Sequence, residues 1–172
     1  MEGIGKASDD VQMVAIRTTV NSSLIETKIP SHRTLLEFLR DDLGLYGAKL
    51  SCDVQVCGAC TVLLDGKPVS ACTTLACEVR GKRVETIEGL ARGSQLHPLQ
   101  QAFIDHGGFQ CGFCTPGMIM AAKAMLDELP DPGIEDIKWY MKGNICRCTG
   151  YKKIVESILA AAKELRDGSG GK

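Results

Sequence analysis

The cysteines constrain this chain more than anything else in it. Nine occur among 172 residues, in two groups: Cys52, Cys57, Cys60, Cys72 and Cys77, then Cys111, Cys114, Cys146 and Cys148, with 33 cysteine-free residues between. At about 5% they stay below the ~8–10% of a disulfide scaffold, and an odd number leaves one thiol over. Residues 1–10 carry no basic start, apolar stretch or arginine pair, so no export signal is expected. A cytoplasmic location follows as the expectation, and there ordinary disulfides stay reduced. The thiols need another use, and their grouping predicts two metal sites on two domains.

Charge and hydropathy close off other partners. Twenty Lys and Arg against 21 Asp and Glu leave a net charge of -1, which provides no field for steering nucleic acid. No apolar run approaches the ~20 residues that cross a bilayer, so no membrane partner is expected.

Periodicity divides the chain in the same place as the cysteines. Val14, Ile16, Thr18 and Val20 share one face of an extended segment, and Asn21-Ser22-Ser23 turns it toward residues 24–29. Thr34-Leu35-Leu36-Glu37 is a capping box opening a short helix to about Leu43, with Gly44 as its stop. Residues 61–64 and 68–70 flank Asp65-Gly66, a hairpin signal, and residues 84–87 supply a last strand. Helical spacing then takes over. Leu99, Ala102 and Phe103 mark one helix, Met118, Ala121, Met125 and Leu129 a second, residues 134–141 a third, and Ile154, Ile158, Ala161 and Leu165 a fourth. The chain reads as α+β, strands with one helix followed by a four-helix bundle. The expected domains are 11–87 and 95–166, with 1–10 and 167–172 as loose termini.

The first cysteine group reads Cys52-x4-Cys57-x2-Cys60-x11-Cys72, and its first three positions have the spacing of plant-type 2Fe-2S ferredoxins. Four thiolates converging on an anionic cluster need a loop of small residues that lets backbone amides approach, and Cys57-Gly58-Ala59-Cys60 supplies one. Zinc is the alternative, since four cysteines satisfy a tetrahedral ion; zinc modules, however, usually pair two short knuckles, whereas Cys72 stands alone across a hairpin. The second group, Cys111-x2-Cys114-x31-Cys146-x-Cys148, matches neither plant-type ferredoxins nor common zinc fingers. Thr115 reads as a helix cap with Pro116 at the first helical position, and Thr149-Gly150 precedes the last helix, so both cysteine pairs are expected at helix starts. Free amides and positive dipole ends there favour an anionic cluster. Zinc or a reactive dithiol remains the alternative, although a dithiol leaves Cys146 and Cys148 unexplained.

Three motifs carry a family resemblance: Cys-Asp-x-x-x-Cys-Gly-Ala-Cys-Thr at 52–61, Gln-Cys-Gly-Phe-Cys-Thr-Pro-Gly-Met at 110–118 and Gly-Asn-x-Cys-Arg-Cys-Thr-Gly-Tyr at 143–151. Together they resemble the small iron-sulfur subunit of molybdenum hydroxylases, the xanthine oxidase family, over nearly the whole chain. The resemblance implies a plant-ferredoxin-like β-grasp domain and a helical domain, each holding one 2Fe-2S cluster. It assigns Cys52, Cys57, Cys60 and Cys72 to the flavin-proximal cluster and Cys111, Cys114, Cys146 and Cys148 to the molybdenum-proximal one. Gln110 and Cys148 match residues that approach the pterin. The implied partners are a large molybdopterin-binding subunit and a medium FAD-binding subunit.

Two positions depart from the family pattern: Ser51 and Asn21-Ser22 stand where relatives commonly have glycine and Asn-Gly, which bears on loop geometry and on the first cluster's potential. Cys77 matches no ligand position and reads as a small hydrophobe. His32, His97 and His106 lack metal-ligand spacing and read as caps, surface or helix-end residues. Trp139 and Tyr140 read as interface anchors or core. No catalytic residues are expected, because no Ser-His-Asp set, paired carboxylates or phosphate loop is evident. Three functions follow: an electron-transfer subunit of a molybdenum hydroxylase, a free-standing two-cluster carrier, and a zinc-stabilised interaction module.

Overall fold

A computed structural model describes residues 11–169; of the expected loose ends, 1–10 and the last three residues of 167–172 lie outside the described residues. Strand β1 (Met13–Val20) pairs antiparallel with β2 (Ser23–Pro30), and the register Val20↔Ser23 leaves a two-residue turn. Asn21 and Ser22 both take positive φ there (47° and 70°), the backbone that matches the right-handed twist of a hairpin. The Asn21 amide fastens this turn to Thr86, 65 residues on: its Nδ2 donates to Thr86 Oγ1 at 2.8 Å and its Oδ1 accepts the Thr86 N–H at 2.9 Å.

Thr34 and Glu37 form the expected capping box at the start of α1 (Leu35–Glu37). The helix does not continue regularly to Leu43. Residues Phe38–Asp42 form a π-helical turn in which the Leu43 N–H reaches the Phe38 carbonyl. The widened turn carries Asp42 back over the helix start, where Arg33 grips its carboxylate with hydrogen bonds of 3.1 and 2.8 Å, while Leu35, Leu36, Phe38 and Leu39 all stay buried. Strands β3 (Thr61–Leu64), β4 (Lys67–Ser70) and β5 (Arg83–Glu85) complete a mixed sheet of order β2-β1-β5-β3-β4, with β1 and β5 parallel. The expected strand at 84–87 is shorter at its end, because Ile87–Gly89 turns as a 3-10 helix.

Strand β3 ties the sheet to the helices. Val62 points into the core of the sheet domain with Phe38 and Leu39, and the next residue, Leu63, belongs to the core of the helices with Met118 and Phe103. Alternation along a strand explains this, and an uninterrupted apolar run such as Val62-Leu63-Leu64 is what two covered faces require. Helices α2 (Pro98–Asp105), α3 (Thr115–Glu128), α4 (Ile134–Met141) and α5 (Lys152–Ser169) follow. His97 caps α2, its Nδ1 accepting the Leu99 N–H at 3.2 Å, and burial holds its pKa below the usual histidine value.

Three helix ends differ from expectation. Cys114 rather than Thr115 is the N-cap of α3. Leu129 lies past that helix and is 41% exposed, whereas Met118, Met120 and Met125 are buried. The last helix runs through Ser169 instead of dissolving after Arg166, with Arg166 paired to Asp131 ahead of α4.

Ser22 holds a left-handed conformation that costs a non-glycine residue roughly 1–2 kcal/mol. Ser22→Gly is expected to raise stability by about 0.5–1 kcal/mol, read as a higher denaturant midpoint at unchanged slope.

Candidate metal centres

The first cysteine group is gathered by one coiled loop and one hairpin. Asp53 and Gln55 take φ of 58° and 59°, so the chain between Cys52 and Cys57 winds about the Cys52 sulfur, and Gly58, at 70°, turns it again just past Cys57. Val56 N–H and Cys57 N–H reach that sulfur at 3.3 and 3.4 Å. Backbone donors from Val54, Val56 and Cys57 lower its thiol pKa to about 6. Cys60 ends the loop at the start of β3, and the β3–β4 hairpin, continued by Ala71 N–H to the Cys60 carbonyl at 3.4 Å, brings Cys72 beside it. Both are buried, and burial pushes Cys60 up to about 12. Ser51 is not among the left-handed residues, so serine replaces the family glycine there without strain, unlike Ser22.

The second group joins the α2–α3 loop to the α4–α5 loop. The Cys111 and Cys148 sulfurs, both exposed, lie 3.4 Å apart. Cys114, pushed up to about 12 by burial, neighbours Cys146. Burial also raises Cys146, but hydrogen bonds from Thr149, which donates its hydroxyl at 3.1 Å and its N–H at 3.4 Å to the sulfur, together with the Cys148 N–H and Cys114 outweigh it, and the pKa is lowered. Only one of these pairs stands at a helix start. Cys114 caps α3, whereas α5 begins at Lys152, four positions beyond Cys148, because Tyr151 takes φ 64° and turns the chain before the helix can open. Gln110 is exposed and directly precedes Cys111.

The two loops touch. Ile145 N–H donates to the Cys57 carbonyl at 2.9 Å, and Asn144 Nδ2 donates to the Gly58 carbonyl at 3.2 Å. A Cβ on Gly58 would collide with the Asn144 side chain, and one on Gly117 of α3 would collide with the Gly58 carbonyl. Sequence reasoning does not single out Asn144 or Tyr151, and it takes Thr149 only as the signal of a helix start. Each lies inside a quoted motif, but only their spatial contacts reveal what they do.

In the first group Cys52 neighbours Cys57 and Cys60 neighbours Cys72, in the second Cys111 neighbours Cys148 and Cys114 neighbours Cys146, and Cys77 stays apart, half-buried against the sheet-domain core with its sulfur 3.9 Å from the Ser31 carbonyl. Among the described residues no three His, Cys, Asp or Glu side chains close on one metal ion. Four soft sulfur donors in each set, with loop amides directed at Cys52 and hydrogen bonds from Thr149 at Cys146, fit an iron-sulfur cluster. Trp139 is 70% exposed beneath the Lys142 ammonium, which lies 3.0 Å from the ring centroid, and Tyr140 is half-buried.

The fold and thiol sets define a two-centre ferredoxin-type protein. A 2Fe-2S iron-sulfur cluster binding domain family matches residues 18–89, and a [2Fe-2S] binding domain family matches residues 86–159, so each match contains one cysteine set. The chain is 44% identical over 158 residues to a probable xanthine dehydrogenase subunit of Bacillus subtilis, covering 92% of this chain and 91% of that one. Quinoline 2-oxidoreductase from Pseudomonas putida 86 superposes with a TM-score of 0.87 at 41% identity, over 91% of this chain and 98% of that one. Aldehyde oxidoreductase from Desulfovibrio gigas does so with a TM-score of 0.87 at 43% identity, over 91% of this chain but 18% of that longer one. This chain belongs to the family of small iron-sulfur subunits of xanthine dehydrogenase-type molybdenum hydroxylases.

Gly117→Ala places a methyl group against the Gly58 carbonyl, an overpacking that costs about 1–3 kcal/mol. The expected result is a lower denaturant midpoint with the α-helical circular dichroism retained.

Proposed function

We propose that the chain relays electrons inside a molybdenum hydroxylase complex, from a large molybdopterin-binding subunit toward a medium FAD-binding subunit, and performs no substrate chemistry itself. The observation that carries this reading is the pair of four-thiol sets in direct backbone contact through Ile145 N–H and the Cys57 carbonyl. Cys52, Cys57, Cys60 and Cys72 hold one 2Fe-2S cluster, and Cys111, Cys114, Cys146 and Cys148 hold the other. A bound 2Fe-2S cluster takes up and releases one electron at a time.

The chain's own residues then set conditions at each centre. Loop amides neutralise charge at Cys52, Thr149 does so at Cys146, and the clasp through Asn144 fixes the distance between the loops. The outer edges suit partner surfaces. Tyr46, Leu50, Val54 and Val56 stand more than half exposed near the first set, and Phe113 and Ile145 are exposed beside the second. Such apolar rims support an obligate subunit over a free carrier. Gln110 and Cys148, exposed at the edge of the second set, face the pterin in this reading, so electrons enter at the helical domain and leave at the sheet domain. Domain limits of 11–87 and 95–166 and a cytoplasmic location, where thiols stay reduced for cluster assembly, belong to the same proposal.

Two clusters of two irons predict four irons and four inorganic sulfides per chain, with visible absorption that bleaches on reduction. Stoichiometric zinc in their place overturns the reading. Cys57→Ser and Cys148→Ser each introduce a harder oxygen ligand and are expected to alter different electron paramagnetic resonance signals. In the assembled complex, Cys148→Ser slows reduction of both downstream centres by substrate, whereas Cys57→Ser leaves the helical-domain centre reducible and slows the flavin.

A further inference from the structure

Tyr151 is the one aromatic residue among the described residues with a positive φ, 64°. Left-handed backbone is ordinarily given to glycine, and this chain places its glycine one position earlier: Gly150 does not use the left-handed region, and a Cβ there would meet nothing within 4 Å. A strained backbone at a bulky residue persists where its side chain makes a contact that holds it. Here the contact is polar. The Cys146 N–H donates to the Tyr151 phenol oxygen at 2.9 Å.

The rest of the loop closes around the same cysteine. Thr149 donates to the Cys146 sulfur, and the Tyr151 N–H lies 3.4 Å from Thr149 Oγ1. Tyr151 also opens α5, its carbonyl accepting the Val155 N–H at 3.0 Å. Cys146 is thus held at both ends, its amide by Tyr151 and its sulfur by Thr149. The two contacts have opposite electrostatic consequences. Thr149 adds a donor to the sulfur, whereas Tyr151 takes up a main-chain donor that would otherwise be free to turn toward sulfur.

We infer that Tyr151 is a positioning residue for Cys146, holding its amide away from the sulfur so that the reduction potential of the helical-domain centre stays low. The inference rests on the proposed ligand set. Hydrogen bonds to cluster sulfurs favour the more negative, reduced state, so freeing the Cys146 amide raises the potential and removing the Thr149 hydroxyl lowers it.

The test is a redox titration of the two centres followed by electron paramagnetic resonance in the full-length chain, with iron and sulfide counted first. Wild-type protein lacking four irons and four sulfides overturns the cluster reading itself, separately from this inference. In Tyr151→Phe, which keeps the ring, the helical-domain potential shifts upward while the sheet-domain potential stays put. In Thr149→Val the same potential shifts downward. Selective loss of the helical-domain centre in Tyr151→Phe, with the sheet-domain centre intact, also supports the assignment. A Tyr151→Phe protein with both centres at wild-type potentials, a downward shift in that variant, or loss of both centres together overturns it.

Discussion

The Gly58 carbonyl accepts the Thr61 N–H at 3.2 Å, the Thr61 hydroxyl at 2.7 Å and Asn144 Nδ2 at 3.2 Å, and it sits so close to Gly117 that a methyl group there would collide with it. This point lies between two cysteines of the first set and at the start of the long helix that follows Cys114. A buried carbonyl has to be hydrogen-bonded, and here part of that need is met from the other domain. Satisfying one peptide group therefore fixes the sheet-domain loop, helix α3 and the α4–α5 loop in a single arrangement. Glycine at 58 and 117 follows from the closeness of two backbones, and Asn144 from the need for a donor between them.

The two thiol sets share a graded environment despite unrelated folds. Each contains cysteines whose burial drives the thiol pKa upward, Cys60 and Cys114, and each contains one lowered chiefly by local amides, Cys52 and Cys111. Buried thiols resist ionisation until a cation compensates the charge, while the amide-supported ones are poised to ionise first. The loops achieve this in different ways: two left-handed residues coil the first about a sulfur, and a threonine hydroxyl supports the second.

Much of this was legible in the chain. Cysteine spacing separated two sets from the spare Cys77, Asp65-Gly66 located the hairpin that delivers Cys72, and Thr34-Leu35-Leu36-Glu37 marked the capped helix. What escaped depends on contacts between distant segments. Asn144 is 86 residues from the carbonyl it serves, so no local pattern announces it. The offset of Cys148 from α5 follows from Tyr151, whose left-handed backbone runs against its propensity. The even burial of α3 hides its orientation as well. Apart from Lys123, every residue from Gly117 to Leu126 is buried, because the helix lies between the sheet and the other helices, so the row Met118, Ala121 and Met125 describes only one side of it.

Strand β3 gives Val62 to one core and Leu63 to the other. The linker after Ile87 separates two stretches of chain, but it does not separate two independently stable bodies. Cutting there would leave the helices with a vacancy where Leu63 had been and the sheet with an uncovered apolar face. A shared strand couples the two halves energetically, since losing either removes part of the interior of the other. Relatives carry both halves as a chain of similar length, as in Bacillus subtilis, or within a longer one, as in Desulfovibrio gigas.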